Sequence, residues 1–275
     1  MKAESLVVAV EKVADVDAHE GPVYVADEHA LYFTSLPRPR PYVAVRRLDL
    51  ATLKVTTLLD GANAANGMTL DPYGQLLVCE QGTRMSDARI SRLDLRTGSR
   101  RTVVDSYRGL PLNSPNDIVV ARDGSIWFTD PSYGYLQGFR PPPQLSDAVY
   151  RFDVDTGLLD LVADDFDKPN GLAFSPNERT LYVGDSEACR IDAFDVDRGR
   201  LANQRVFTEI SPGYPDGIKV TPDGRVFSSF GGGIAIFDPQ GERIGEIELP
   251  GAVNFTFGDA LYVTTNTAIW AVKGA

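Results

Sequence analysis

Residues 116–130 read NDIVVARDGSIWFTD. Ile118 and Val120 alternate ahead of Arg122-Asp123-Gly124, and Ile126 and Phe128 follow. Period-two alternation around an Asx-Gly turn marks a β-hairpin. The phrase recurs as EGPVYVADEHALYFTS from Glu20, NGMTLDPYGQLLVCE from Asn66, NGLAFSPNERTLYVGDS from Asn170 and DGIKVTPDGRVFSSF from Asp216. A degenerate copy, NFTFGDALYVTT, starts at Asn254. The starts are 46, 50, 54, 46 and 38 residues apart, the period of four-stranded propeller blades. A second hairpin fits between copies. RISRLDL (89–95) turns into RRTVVD (100–105), and AVYRFDV (148–154) into LLDLVAD (158–164). The expected fold is all-β: a six-bladed β-propeller, four antiparallel strands a–d per blade, in one domain over residues 1–275. The apolar run at residues 6–10 is left over. It is expected to complete the last blade and remove an open sheet edge. A generic sandwich would not explain hairpins that all open on a polar residue.

Composition narrows the function. Lys and Arg total 27 and Asp and Glu 38, so the formal charge is 27 − 38 = −11. An acidic chain without a basic run is a poor partner for nucleic acid. No stretch reaches the ~20 apolar residues of a membrane span, and residues 6–10 are too short for a signal sequence. A cytoplasmic monomer acting on a small molecule is expected. Cys79 and Cys189 are expected as buried free thiols. His19 and His29 are the only histidines. A Ser-His-Asp triad would need one of them, and HExxH, GxGxxG and Walker patterns are absent. The triplet 231–233 reads as a turn.

Strand a of each blade lines the central channel. Its first residues, Glu20, Asn66, Asn116, Asn170, Asp216 and Asn254, should converge at one mouth. The loops between strands b and c open at that same mouth. They are long at residues 34–42, 80–88 and 130–147, which marks the functional end. An oxygen-only ring suits a hard cation, Ca²⁺ first, with Mg²⁺, Mn²⁺ or Zn²⁺ possible. Each Asn-Gly taken singly is also an ordinary turn pair. Yet Glu20 and Asp216 on one ring would repel without a cation between them.

EGPVY (20–24), LNSPNDIVVARDGSIWFTDPSYG (112–134), KPNGLAFSPNERTLYVGDS (168–186) and YPDGIKVTPDGRVF (214–227) carry a further signal. In these stretches the chain resembles the gluconolactonase / senescence marker protein / luciferin-regenerating enzyme family. Diisopropyl fluorophosphatase is a more distant relative. The resemblance implies a six-bladed propeller with a divalent ion, usually calcium, near the channel centre. It implies Glu20, Asn170 and Asp216 as metal ligands, and Asn116 as a metal ligand or substrate contact. It also implies hydrolysis of sugar lactones or related esters, and in some members of organophosphates. Animal lactonases carry an Arg shortly before the Asn116 position, where this chain has Ser114.

Lactone hydrolysis needs a polarised carbonyl and an activated water. Asp216 is the expected general base, or a nucleophile in a phosphatase-like reaction. Glu20 serves charge and coordination. Asn113, Asn116, Arg84 and Tyr133 are the expected substrate contacts, with Tyr135 a further candidate. Glu80, Asp130 and Asp185, at the upper ends of strands b, read more readily as structural carboxylates. Met68 and Trp127 read as core or channel wall. Residues 38–41 read as an exposed loop. Strand alternation turns His19 away from the ring, towards the surface. Two rivals stand. A scaffold propeller with a structural cation would keep its function in EDTA, and a non-hydrolytic enzyme would turn over no lactone.

Overall fold

The computed structural model describes residues 4–5, 9–37 and 42–274. Residues 38–41 and 6–8, two of the stretches interpreted above, lie outside them. Six blade sheets, five of four strands and one of five, follow one another along the described chain. Blade 1 holds Val23–Val25, Ala30–Thr34, Val45–Asp49 and Val55–Leu59. Blade 2 holds Ala65–Leu70, Leu76–Glu80, Arg89–Leu93 and Arg100–Val104. Blade 3 holds Ile118–Val120, Ile126–Asp130, Ala148–Phe152 and Leu159–Ala163. Blade 4 holds Pro169–Phe174, Thr180–Asp185, Arg190–Asp197 and Arg200–Glu209. Blade 5 holds Ile218–Val220, Val226–Phe230, Gly233–Phe237 and Arg243–Glu248, with Glu4–Ser5 added parallel to its outer edge. Blade 6 holds Asn254–Phe257, Leu261–Thr264 and Ala268–Lys273.

Ala9–Asp15 supplies blade 6 with its outer strand, antiparallel to Ala268–Lys273 from Ala9 opposite Lys273 to Asp15 opposite Ala268. The N-terminal closure is therefore as expected, but displaced along the chain from residues 6–10. The reason is physical. An outer strand is half in water, so EKVAD serves as well as an apolar run. The pattern of exposed and half-buried residues in this strand shows it.

Why strands b and c read as near-continuous apolar runs is clear from the packing. Both faces of each blade are covered. The core divides into six clusters, one at each joint between neighbouring blades. Successive residues of one strand go to opposite joints. Tyr32 packs toward blade 2 and Leu31 and Phe33 toward blade 6. Ile126 and Phe128 pack toward blade 2 and Trp127 toward blade 4. Trp127 is fully buried, its Nε1 donating to Ser125 Oγ at 2.9 Å, and Met68 is in the blade 1–2 core. Burying side chains of this size contributes about 1.5–3 kcal/mol each.

Near the channel the joints become polar. Thr129 Oγ1 accepts from Asp117 N and donates to Asn170 O of the next blade (3.0 and 2.8 Å). Ser229 Oγ does the same for Gly217 N and Val253 O (2.8 and 2.5 Å). Thr264 Oγ1 joins Asn254 N to His19 O (3.3 and 2.7 Å), closing the circle. One hydroxyl thus satisfies two inner-strand groups that the ladder leaves unpaired.

Candidate active site

The first residues of the inner strands carry an extra residue in their pairing. Thr129 O accepts from Asn116 N, while Thr129 N donates to Asp117 O. Ser229 is bonded in the same way to Asp216 and Gly217, and Thr34 to His19 and Glu20. Two residues opposing one is a β-bulge, which redirects side chains near a site. By this register His19, Asn116 and Asp216 are equivalent. Glu20 corresponds to Asp117 and Gly217, one step deeper. Gly21, at φ +57°, takes up the offset before strand Val23–Val25.

These residues open into a cavity of about 540 Å³. Glu20, Asn66, Asn116, Asn170 and Asp216 line it, with His19, Gln81, Tyr133, Gln137, Ser186 and Tyr214. Five of the six expected ring residues thus meet. Asn254 lies beneath and donates from Nδ2 to Glu20 Oε2 at 2.7 Å. His19 is a correction to the surface reading: it is on the cavity wall, because alternation fails at a bulge. Its Nδ1 is 2.6 Å from Asn266 Oδ1.

The glycines after the ring residues have a role other than turning. Gly67, Gly171 and Gly217 are not at positive φ. A Cβ on Gly171 would overlap Asp216 O, and one on Gly67 would overlap Asn116 O. On Gly217 it would overlap the Asn254 side chain. Adjacent inner strands touch here, and Gly67 N and Gly171 N donate to Asn116 O and Asp216 O at 2.8 and 3.1 Å. The Asn-Gly and Asp-Gly pairs combine an oxygen donor with the room that lets the donors converge.

Electrostatically the floor is strained. Burial pushes the Glu20 carboxyl up, opposed in part by the hydrogen bond from the Asn254 amide. Asp216 is raised well above the usual carboxylate range, by burial first and then by the Glu20 charge, with an Asn170 hydrogen bond opposing. Asp117 adds a third carboxylate one level down, where blades 2, 4 and 5 have glycine. Its charge raises both neighbours. Lys219 Nζ, 3.8 Å from Asp117 Oδ2, partly offsets it. The sequence reading missed Asp117. Its signal was the break in the repeat, Asn-Asp in blade 3 against Asn-Gly in blades 2 and 4 and Asp-Gly in blade 5.

The donor set fits a hard cation. It contains only oxygens, and buried Asn66 Oδ1 has no hydrogen-bond partner. Among the described residues no three His, Cys, Asp or Glu side chains are placed to hold an ion. A cation here would therefore rest on Glu20 and Asp216 with amide oxygens of Asn170 and Asn116, a mixture suited to Ca²⁺.

Tyr133 opens the short helix Tyr133–Leu136 in the long loop of blade 3 and enters the cavity wall. Its hydroxyl contacts Ser186 and Asn170, and burial raises its pKa. Arg84 and Asn113 are not on that wall. Arg84 is exposed, its Nε donating to Gly138 O at 3.2 Å. Asn113 Nδ2 faces the carbonyls of Asp130, Leu145 and Ser146. Tyr135 is also outside the lining.

The three strand-end carboxylates serve the loops. Asp130 accepts from Asn113 N and Ser114 N, both at 2.8 Å. Burial still raises it to about 7. Asp185 accepts from Asp167 N and Lys168 N, both at 2.8 Å. Glu80 pairs with Arg89 and Arg100. Arg140, which the sequence reading passed over, is the knot behind Tyr133. Its buried guanidinium donates to the carbonyls of Asn113, Thr83, Ser86 and Leu112 at 3.0, 3.1, 3.1 and 2.9 Å. Gly134 leaves it room, since a Cβ there would overlap Arg140 Cγ. Ser114, two residues before Asn116, accepts from Gly134 N (2.9 Å) and donates to Pro131 O (2.6 Å). Cys79 is buried, but Cys189 is exposed at the cavity rim, a correction. It sits in a left-handed turn, φ +52°, outside the strand run that suggested burial.

Residues 18–267 match the SMP-30/Gluconolactonase/LRE-like region. The chain belongs to this family. A gluconolactonase from Xanthomonas campestris has the same propeller, with TM-score 0.86 and 37% identity over 96% of this chain and 89% of that one. Gluconolactonase from Zymomonas mobilis is 33% identical over 85% of this chain and 70% of its own length. Lactonohydrolase oryL from Aspergillus oryzae is 29% identical over 93% of this chain, which spans 65% of that relative. Glu20, Asn170 and Asp216, the residues expected as ligands from the resemblance, line the cavity just described.

Proposed function

We propose that this protein is a lactonase that opens a sugar lactone with the aid of a divalent cation, Ca²⁺ foremost. One observation carries the reading: two carboxyls, Glu20 and Asp216, are buried together at the floor of an oxygen-lined cavity. Burial raises both pKa values, and the Glu20 charge raises that of Asp216 further, so keeping both ionised here is costly. A cation removes that cost. Family membership and the lactone-hydrolysing relatives support the reaction class.

Glu20, Asn170 and Asp216 would hold the ion, with Asn116 as a fourth oxygen or a substrate contact. When bound, it would polarise the lactone carbonyl and stabilise the developing oxyanion. Asp216 takes the proton from the attacking water. A carboxylate on the cavity floor is open to that water. Asn170 holds Asp216 by a hydrogen bond, and Asn170 in turn donates to Ser186 Oγ at 3.0 Å. Ser186 Oγ donates to Pro215 O at 2.8 Å, fixing the segment that carries Asp216. Tyr133 closes the wall.

Metal-stripped protein is assayed with glucono-1,5-lactone by proton release, then with Ca²⁺, Mg²⁺, Mn²⁺ or Zn²⁺ added. Restored activity that Asp216→Asn lacks supports the reading. Full activity in EDTA would remove the cation from it, and inactivity on every lactone of a panel would remove the reaction. Fluoride release from a fluorophosphate would place the site with the organophosphate hydrolases instead.

A further inference from the structure

We infer that His19 accepts a hydrogen bond from a hydroxyl of the substrate and selects hydroxylated lactones over bare ones, with Asn266 as its positioning residue. This rests on the lactonase reading and deepens it.

His19 is on the cavity wall at the register of Asn116 and Asp216, so blade 1 presents an imidazole where blades 3 and 5 present an amide and a carboxyl. Its backbone is clamped on both sides, N donating to Thr34 O at 2.8 Å and O accepting from Thr264 Oγ1 at 2.7 Å. The Asn266 amide oxygen can only accept, so His19 Nδ1 carries the hydrogen in their 2.6 Å contact. In the tautomer that this contact selects, the lone pair is on Nε2. No hydrogen bond to Nε2 is found among the described residues. The ring is thus an acceptor preoriented by Asn266 on the wall of the cavity whose floor carries Glu20 and Asp216.

A pure acceptor needs a donor from its ligand. Around it, Asn66, Gln81 and Gln137 can both donate and accept. A sugar lactone brings several hydroxyl donors, whereas δ-valerolactone brings none. A site built to bond a hydroxyl rejects the analogue lacking it, because its own polar group is left unpaired.

The test compares kcat/KM for glucono-1,5-lactone and δ-valerolactone in wild type, His19→Phe, His19→Gln and Asn266→Ala, with circular dichroism to confirm folding. In His19→Phe the ratio of the two should fall about tenfold or more, the loss of one hydrogen bond. His19→Gln, which keeps an accepting oxygen, should recover part of it, and Asn266→Ala should give an intermediate ratio. A ratio within about twofold of wild type in both His19→Phe and Asn266→Ala overturns the inference. Should wild type hydrolyse neither lactone, the lactonase reading falls separately. Calorimetry with D-gluconate then decides: weaker binding by His19→Phe supports the contact, and equal or absent binding in wild type and variant refutes it. With only two histidines in the chain, ¹⁵N-histidine labelling reads the tautomer in unsubstituted protein. A proton on Nε2 of His19 rather than Nδ1 would also refute the inference.

Discussion

Gly171→Ala tests whether the ring glycines are spacers or turn residues. The added Cβ would overlap Asp216 O and stand 2.8 Å from Ile218 N and 3.0 Å from Gly217 Cα. All three are backbone atoms of the next blade, so no side chain can swing aside. Relief requires inner strands 4 and 5 to part by several tenths of an ångström or more. Overpacking of this kind costs about 1–3 kcal/mol, and weakening the 3.1 Å Gly171 N to Asp216 O bond adds about 1 kcal/mol. The total is about 2–4 kcal/mol. With an unfolding entropy near 2.1 cal/mol/K per residue, each kcal/mol lowers Tm of a chain this long by about 2 °C. A loss of about 4–7 °C is therefore expected by scanning calorimetry. Asn170 and Asp216 flank the strained contact, so Ca²⁺ affinity measured on the same protein should drop about tenfold or more. Gly231→Ala is the control, because a Cβ there meets nothing within 4 Å. If Gly171→Ala melts within about 1 °C of the control and binds Ca²⁺ equally, the spacer reasoning is wrong.

The raised carboxyls set a pH dependence. Glu20 and Asp216 lie above their ordinary values of 4.5 and 3.8. Their protonated forms therefore fit the fold best. That contribution is present at acid pH and is lost as pH rises through the folded values. Cation-free protein should lose stability in that rise, added Ca²⁺ should restore it, and calorimetry in two buffers should detect protons released on binding. Asp216→Asn removes one charge from the pair. Its cation-free Tm should equal or exceed that of wild type while lactone turnover falls at least about a hundredfold. Arg140→Met strands four carbonyls and should cost about 3 kcal/mol or more by urea unfolding. It should also raise KM for the lactone through the Tyr133 loop. One thiol per native chain should react with Ellman's reagent, Cys189, and a second only after unfolding; two fast thiols would contradict the burial of Cys79.

The blades were legible because each joint repeats the same demand on strands b and c. Runs such as LLVCE (76–80) and IWFTD (126–130) fill two clusters at once, and tight Asx-Gly turns punctuate them. The ring was legible too, since Asn116, Asn170 and Asp216 head equivalent strands. What escaped were departures from regularity. His19 and Glu20 face the site from consecutive positions because the bulge opposite Thr34 breaks alternation. No residue type in EGPVY announces a bulge. Arg140 was hidden for another reason. A buried arginine normally advertises itself through a carboxylate partner, whereas this one is satisfied by carbonyls from two loop segments brought to it only in space. The glycines were noticed only as possible turn partners and their spacing role was missed, since Asn-Gly means a turn when the neighbour is water and a spacer when it is the next blade. Repetition therefore reveals where the donors gather, while the irregularities of blades 1 and 3 make the gathering asymmetric. An asymmetric floor, with carboxyls from blades 1, 3 and 5 and an imidazole on one wall, can orient an asymmetric substrate. A perfect sixfold ring could only hold an ion.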